Sequence, residues 1–284
     1  MKISEIKDKY RSLDGSMFGA ANIEDSMAML YHENSKFTSH SMRVQGEIIS
    51  GFNNAYVLER CTQPYKCYAG HKTFDLSQYE GFVPTESLHH CLTSRRTIRD
   101  FDSEYKISLN ELSAILYNSY GVTYKNKIDA FGVEGHIGMR NVPSGGALYP
   151  LEMYLVVFNA HIPSGLYHYR PDTNVLELIK EGDFIEELLE IIQAEPYVNM
   201  RTASALIITT GIIERLIIKY GERGYRFLMQ ESGFVGQTVS LMSVAMNLAT
   251  CMLGGYNDDK VNEFLGVDGV FETINNVIVL GKEK

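Results

Sequence analysis

The sequence predicts an α+β fold. Apolar strands and amphipathic helices intermix without the regular βαβ alternation of a doubly wound sheet, and no G-x-G-x-x-G turn joins a strand to a helix. Two short alternating runs, Gly165 to Arg170 and Asn174 to Ile179, flank Pro171-Asp172-Thr173 as a hairpin would.

The elements follow in order. Ile23 to Lys36 reads as a short helix, and Ser50 to Pro84 as loop, punctuated by Asn53–Asn54, Gly70, Gly81 and Pro84. Residues 1–92 therefore read as an N-terminal accessory region facing a substrate or partner, and residues 93–284 as the main domain. Ser108-Leu109-Asn110-Glu111 is a capping box that opens a helix running to Tyr120 and stopping at Gly121. Glu152 to Asn159 is a strand, Phe184 to Ala194 an amphipathic helix, and Ser204 to Ile213 an apolar, β-branched strand of the sheet interior. A helix from Glu214 to Ser232 is expected to break at Gly233. A second helix then runs to Cys251, apolar on nearly every side through Phe234, Val235, Val239, Leu241 and Met242. Such a helix must be covered all round, and a second subunit is one way to cover it. Asp258 to Leu265 and Ile274 to Leu280 close the chain as helix and strand.

Composition excludes several classes. With 45% hydrophobic residues the 284-residue chain can build a core, and its formal charge of −9 argues against nucleic acid as partner. Any anion must be met locally. Cys61, Cys67, Cys91 and Cys251 form no C-x-x-C pair and no His–Cys grouping with zinc spacing, so no metal site is expected. The opening MKISEIKDKYRSLDG lacks the apolar run of a signal peptide, and no stretch approaches a membrane span. The expectation is a cytoplasmic protein without a membrane partner.

Five segments carry candidate chemistry, each with a plainer alternative. Ser94-Arg95-Arg96-Thr97-Ile98-Arg99 concentrates charge-assisted donors where a phosphate could sit, or is a solvated basic turn. Pro143-Ser144-Gly145-Gly146-Ala147-Leu148-Tyr149-Pro150 enters a strand. Its paired glycines let backbone approach a planar ligand, or merely turn the chain. Gly254-Gly255 precedes a helix for which Asp258 is the expected N-cap. On a continuous helix Lys219, Arg223, Arg226 and Gln230 would form one polar stripe, with Gly224 leaving a notch beside Tyr220; the alternative is a solvated face with a core tyrosine. Gln237, Ser240 and Asn247 share a stripe of the next helix, where buried amides would need partners.

The order of these segments carries a resemblance. R-R-[ST]-x-R-x-F is followed by P-S-G-G-A-L-Y-P-x-E, G-L-Y-H-Y-x-P, K-Y-x-x-R-G-Y-R, E-x-G-x-x-x-Q and G-G-[YF]-x-D-D, between about Ser94 and Gly281, with a weaker echo at Tyr31-His32-Glu33. This set resembles the SagB-type oxidoreductases, FMN-dependent dehydrogenases of the nitroreductase fold that form thiazoles and oxazoles. Two positions depart from the family's pattern: Gly233-Phe234 stands where G-H is common, and Gln237-Thr238 where Q-N is usual.

The resemblance implies a central, mostly antiparallel sheet flanked by helices, with FMN at a homodimer interface. Arg95, Arg96, Thr97 and Arg99 would hold the FMN phosphate and ribityl chain. Ser144, Gly145 and Gly146 would line the isoalloxazine, with Gly254, Gly255 and Gln237 also against the cofactor. Lys219 and Tyr220 would be the catalytic pair. The implied substrate is an azoline-containing precursor peptide, delivered by a ring-forming cyclodehydratase complex. Oxidising an azoline removes an α-carbon proton and a β-carbon hydride equivalent, and a lysine near Arg223 and Arg226 suits the role of base. Two alternatives stay open at this point: an NAD(P)H-dependent reductase of a small molecule or peptide, and a non-catalytic scaffold of a peptide-modifying complex.

Overall fold

A computed structural model describes residues 26–51, 54–55, 65–79 and 83–284. The expected turn positions Asn53 and Gly81, the start of the first helix at Ile23, and Cys61 lie outside the described residues.

The described residues begin with helices α1 (Met27–Asn34) and α2 (Ser39–Gly51), followed by a short strand β1 (Lys72–Asp75) and helix α3 (Leu88–Ser94). Helix α4 (Leu109–Tyr120) begins at the predicted capping box: Ser108 Oγ accepts from Glu111 N while the Glu111 carboxylate accepts from Ser108 N. A hairpin follows, β2 (Val122–Ala130) and β3 (Val133–Arg140), exposed along much of its length and paired only with itself. No strand is expected here from the sequence, where the alternation of Ile128, Val133 and Ile137 with Lys127, Glu134 and His136 is diluted by Asn126 and the glycines.

The main sheet comes next: β4 (Leu151–Val157), β5 (Gly165–Arg170), β6 (Val175–Glu181), helix α5 (Ile185–Ile191) and β7 (Ala205–Ile212). Helices α6 (Glu214–Tyr220) and α7 (Arg223–Ala245), strand β8 (Ala249–Leu253), helix α8 (Asp258–Leu265) and strand β9 (Glu272–Gly281) complete it. Seven strands run in the order β1-β6-β5-β4-β7-β9-β8, with every pairing antiparallel. The expected antiparallel sheet flanked by helices is what forms. β1, inside the stretch expected to be loop, adds the edge strand beside β6.

Alternation along β4 divides the core into two layers. Leu151, Met153, Leu155 and Val157 pack with Leu112, Ile115 and Leu116 of α4 and Val235 and Val239 of α7. Tyr154 and Val156 pack on the other face with Leu188 of α5 and Val261, Phe264 and Leu265 of α8.

Two expectations about the long helical segment are corrected. The break falls at Gly221, with φ 54° and ψ −145°, and α7 passes unbroken through Gly233. Cys251 lies in a strand, because Met246 and Asn247 end the helix and Asn247 adopts φ 53°. Nor is α7 covered on every side within one chain: Met229 and Phe234 are each 44% exposed.

Candidate functional site

Residues 141–150 connect β3 to β4 and carry three successive departures into left-handed backbone: Gly146 at φ 64°, Ala147 at 56° and Tyr149 at 44°. For the two non-glycine residues this costs about 1–3 kcal/mol each, so the surroundings must hold the loop in shape. They do so with buried polar bonds. Ser144 Oγ accepts from Tyr149 N at 2.9 Å, Tyr149 Oη accepts from Arg140 N at 2.9 Å, and Tyr149 O accepts from Arg215 Nη1 at 3.0 Å.

Behind these stand two carboxylates. Burial pushes Glu152 up, but Arg215 Nη2, 2.6 Å from Oε1, and His168 outweigh it and hold the carboxyl at about 2. Glu231 behaves in the opposite way: burial pushes its carboxyl up, against the hydroxyls of Ser144 and Tyr120. Tyr120 donates to Glu231 Oε1 at 2.7 Å and accepts from Leu151 N at 3.2 Å, tying α7, α4 and the start of β4 together. A second arginine of this region, Arg140, stacks 4.0 Å from the Tyr120 ring centroid.

Against the front of the loop lies the Lys-Tyr pair. Lys219 and Tyr220 are the last residues of α6, and Gly221 then reverses the chain into α7. A Cβ built on Gly146 would sit 2.5 Å from the Tyr220 hydroxyl and 2.9 Å from Lys219 Nζ, closer than real side chains approach. A Cβ on Gly145 would meet Phe227 at 3.1 Å, and Phe227 packs edge-on to Tyr220 with centroids 5.0 Å apart. Two motifs more than 70 residues apart in the sequence therefore share one surface. Burial raises the Tyr220 phenol, which keeps its proton at neutral pH.

The break at Gly221 also removes the continuous polar stripe expected from Lys219 to Gln230. Gly224 leaves no notch beside Tyr220. It faces the α6 backbone, where a Cβ would come within 2.8 Å of Leu216 C, so close packing of α6 on α7 explains the glycine.

The basic segment lies along β8. Thr97 bridges Thr250, Ile98 N donates to Thr250 O at 3.1 Å, and Arg99 O accepts from Asn199 N at 2.8 Å. Arg95 is half-buried, while Arg96, Thr97 and Arg99 are exposed. Burial pushes the Cys251 thiol up and the Arg99 charge opposes it, which puts that guanidinium on the same strand. β8 continues into Gly254 and Gly255, whose carbonyl accepts from Gln193 N at 2.7 Å. The N-cap of the following helix is Asn257, whose side chain accepts from Lys260 N, and not Asp258.

Helix α7 links the two groups. Phe227 touches Gly145. Nine residues on, a rise of about 13 Å, Gly236 packs so tightly on β8 that a Cβ would lie 2.7 Å from Met252 Cε. Gln237 is exposed beside it. Of the expected amide stripe only Ser240 is buried, and it bonds Gly236 O within its own helix.

Among the described residues no cluster of three or more His, Cys, Asp or Glu side chains could hold a metal, and no helix is long and apolar enough to cross a membrane. Sequence reasoning missed Glu231, Tyr149, Arg140 and Arg215. Glu231 and Tyr149 lie within quoted motifs, but nothing local marks them as partners of the loop.

The sequence model of the Nitroreductase family matches residues 92–282. MJ1384 of Methanocaldococcus jannaschii, named as a nitroreductase, is 32% identical over 63% of this chain and 84% of its own length. The microcin B17-processing protein McbC of Escherichia coli is 24% identical over 60% of each chain. Among solved structures, a nitroreductase from Anabaena variabilis superposes with a TM-score of 0.68 at 25% identity, covering 90% of this chain and 46% of that one. The E. coli microcin synthetase McbBCD complex with truncated pro-MccB17 bound contains a chain that superposes at 0.57 with 20% identity, covering 92% and 99%. With the family model matched over residues 92–282, the chain belongs to the Nitroreductase family.

Proposed function

We propose that the protein is an FMN-dependent dehydrogenase that oxidises thiazolines or oxazolines of a peptide to thiazoles or oxazoles. The observation that carries this reading is the contact of Lys219 and Tyr220 with Gly146. It joins a proton-handling pair to a glycine loop whose backbone a ligand can approach closely. Similarity to a microcin B17-processing protein supports the peptide substrate.

The residues present fit FMN. The glycines at 145 and 146 let Phe227, Tyr220 and Lys219 close on the loop backbone, and the exposed side chains of Arg96, Thr97 and Arg99 are donors suited to a phosphate. Ser144, Gly145 and Gly146 would line the ring, with Gln237, Gly254 and Gly255 completing its surroundings. Arg95, Arg96, Thr97 and Arg99 would bind the phosphate and ribityl chain with charge-assisted donors. When bound, FMN supplies the two-electron acceptor for the hydride equivalent leaving the azoline β-carbon. Lys219 takes the α-carbon proton at Nζ, and Tyr220, still protonated, donates to and orients the heterocycle. The exposed Met229 and Phe234 on α7 fit a homodimer face. A cyclodehydratase complex is the chemical class of partner that would supply the azoline.

Anaerobic visible spectra test the proposal. Flavin bands near roughly 370 and 450 nm should bleach on adding an azoline peptide and ignore NAD(P)H. The similarity to MJ1384, named as a nitroreductase, favours a second reading, an NAD(P)H-dependent reductase. Bleaching by NAD(P)H with no response to the peptide would establish that reading and remove the first.

A further inference from the structure

Helices α1 and α2 bury no apolar side chain. Their buried positions are Ser35, which caps α1, and Gln45, at 3% and 9% exposure. Their outer surface instead exposes Met27, Leu30, Met42 and Ile48. Apolar burial therefore does not fix this pair against the body, and its polar bonds must set its position.

Those bonds converge on one stretch, Lys219 to Arg226, where α6 ends and α7 begins. Gln45 Nε2 donates to the Lys219 carbonyl. Tyr31 Oη donates to Glu222 O at 3.1 Å. Arg226 donates from Nε to Ser35 Oγ at 2.8 Å and from Nη2 to His32 O at 2.7 Å, and Arg223 Nη1 reaches Ser35 O at 3.3 Å. Tyr31 packs edge-on to Tyr225 at 5.7 Å. The two arginines thus serve the N-terminal helices.

The carbonyls of a helix's last turn point past its end and need partners from outside the helix. At α6 the residue concerned is Lys219 itself, and the amide that answers comes from 174 residues away in sequence. Fixing this carbonyl fixes the origin of the Lys219 side chain and the backbone that carries Tyr220.

We propose that Gln45 is a positioning residue: through its bond to the Lys219 carbonyl, the N-terminal helix pair holds the Lys219–Tyr220 pair against Gly146. The catalytic consequence rests on the reading of Lys219 as the base, and the structural consequence does not. Gln45→Met and Gln45→Glu keep the side-chain length, and each removes the donor when Glu is ionised.

Hydrogen–deuterium exchange should rise about tenfold across residues 216–226 in both variants, with residues 274–281 of β9 unchanged. In steady-state turnover kcat should fall about tenfold, more for Glu than for Met, while KM and flavin content stay at the wild-type value. Unchanged exchange across 216–226 in both variants overturns the proposal, as does faster exchange spread equally through β9. If exchange rises locally but the wild-type protein oxidises no azoline, the positioning role stands and the functional reading falls. If the wild type is active and local exchange does not move, the functional reading stands and the positioning role falls.

Discussion

The two ends of α7 are built in opposite ways. Near Phe227 the loop at 144–149 is held in strained backbone by Arg140, Arg215, Tyr120 and two buried glutamates, so its shape is set by side chains of the protein itself. Near Gly236 the basic segment is fixed mainly through its backbone, and the side chains of Arg96, Thr97 and Arg99 are exposed, with Arg96 donating only to nearby carbonyls of the same segment. On the proposed function, the difference follows from what each end would do. A flat surface and a proton acceptor are useful only if rigid before a reactant arrives. A phosphate organises flexible guanidinium groups by its own charge.

If that division is right, the largest loss should come at the rigid end. Lys219→Ala should lower kcat by about 10²- to 10⁴-fold, the range for removing a general base, with flavin content unchanged by its visible absorbance. A variant that keeps FMN and full dehydrogenase activity would remove Lys219 from the chemistry.

The next effect concerns the network behind the loop. Burial pushes the Glu152 carboxyl up, but Arg215, His168 and Arg140 together outweigh it and hold it at about 2, below its usual 4.5. A lowered carboxylate contributes stability that is fully present above pH 4.5 and lost as pH falls through 2, worth about 3 kcal/mol here. Glu152→Gln should cost about 3 kcal/mol near neutrality. It should also flatten the fall in melting temperature between pH 4.5 and pH 2. An acid limb identical to that of the wild type would show that the carboxylate is not what anchors Arg215 and the loop.

At the open end the losses should be smaller and confined to binding. Arg95→Ala and Arg99→Ala should each weaken FMN by about ten- to a hundredfold, the equivalent of about 1.5–3 kcal/mol for a hydrogen bond to a charged group. Fluorescence titration of the apoprotein reads this directly. For Arg99→Ala the melting temperature without FMN should stay at the wild-type value, because that side chain is exposed. A fall in apoprotein stability would contradict the picture of a solvated, ligand-organised end.

The same contrast explains how much could be read from sequence. Ser108 and Glu111, the β-branched run from Ala205 to Ile212, and the Pro171-Asp172-Thr173 turn are local signals, and each element formed where they stood. The candidate residues were visible because their motifs are contiguous. Their supports were not, since Tyr120 to Glu231, Arg140 to Tyr149 and Gln45 to Lys219 are pairings set by the tertiary fold. The β2–β3 hairpin was missed for another reason: its inner face is only half-covered, and Asn126, Gly135 and Gly138 dilute the period of two set by Ile128, Val133 and Ile137.

Two glycines sharpen the lesson with the smallest effects. By composition Gly221 and Gly233 look alike, each interrupting a helical pattern, and a break was expected at the second. Gly221 has φ 54° and ψ −145°, a conformation closed to other residues, and it alone ends α6. Gly233 is ordinary helix, and a Cβ built on it meets nothing within 4 Å. Alanine should therefore act with opposite signs at the two positions. Gly233→Ala should stabilise by about 0.5–1 kcal/mol through helix propensity, and Gly221→Ala should destabilise by about 1–3 kcal/mol through backbone strain. Denaturant midpoints at constant slope measure both. Destabilisation by Gly233→Ala would mean that the exposed face of α7, including Phe234, is covered in solution at that point.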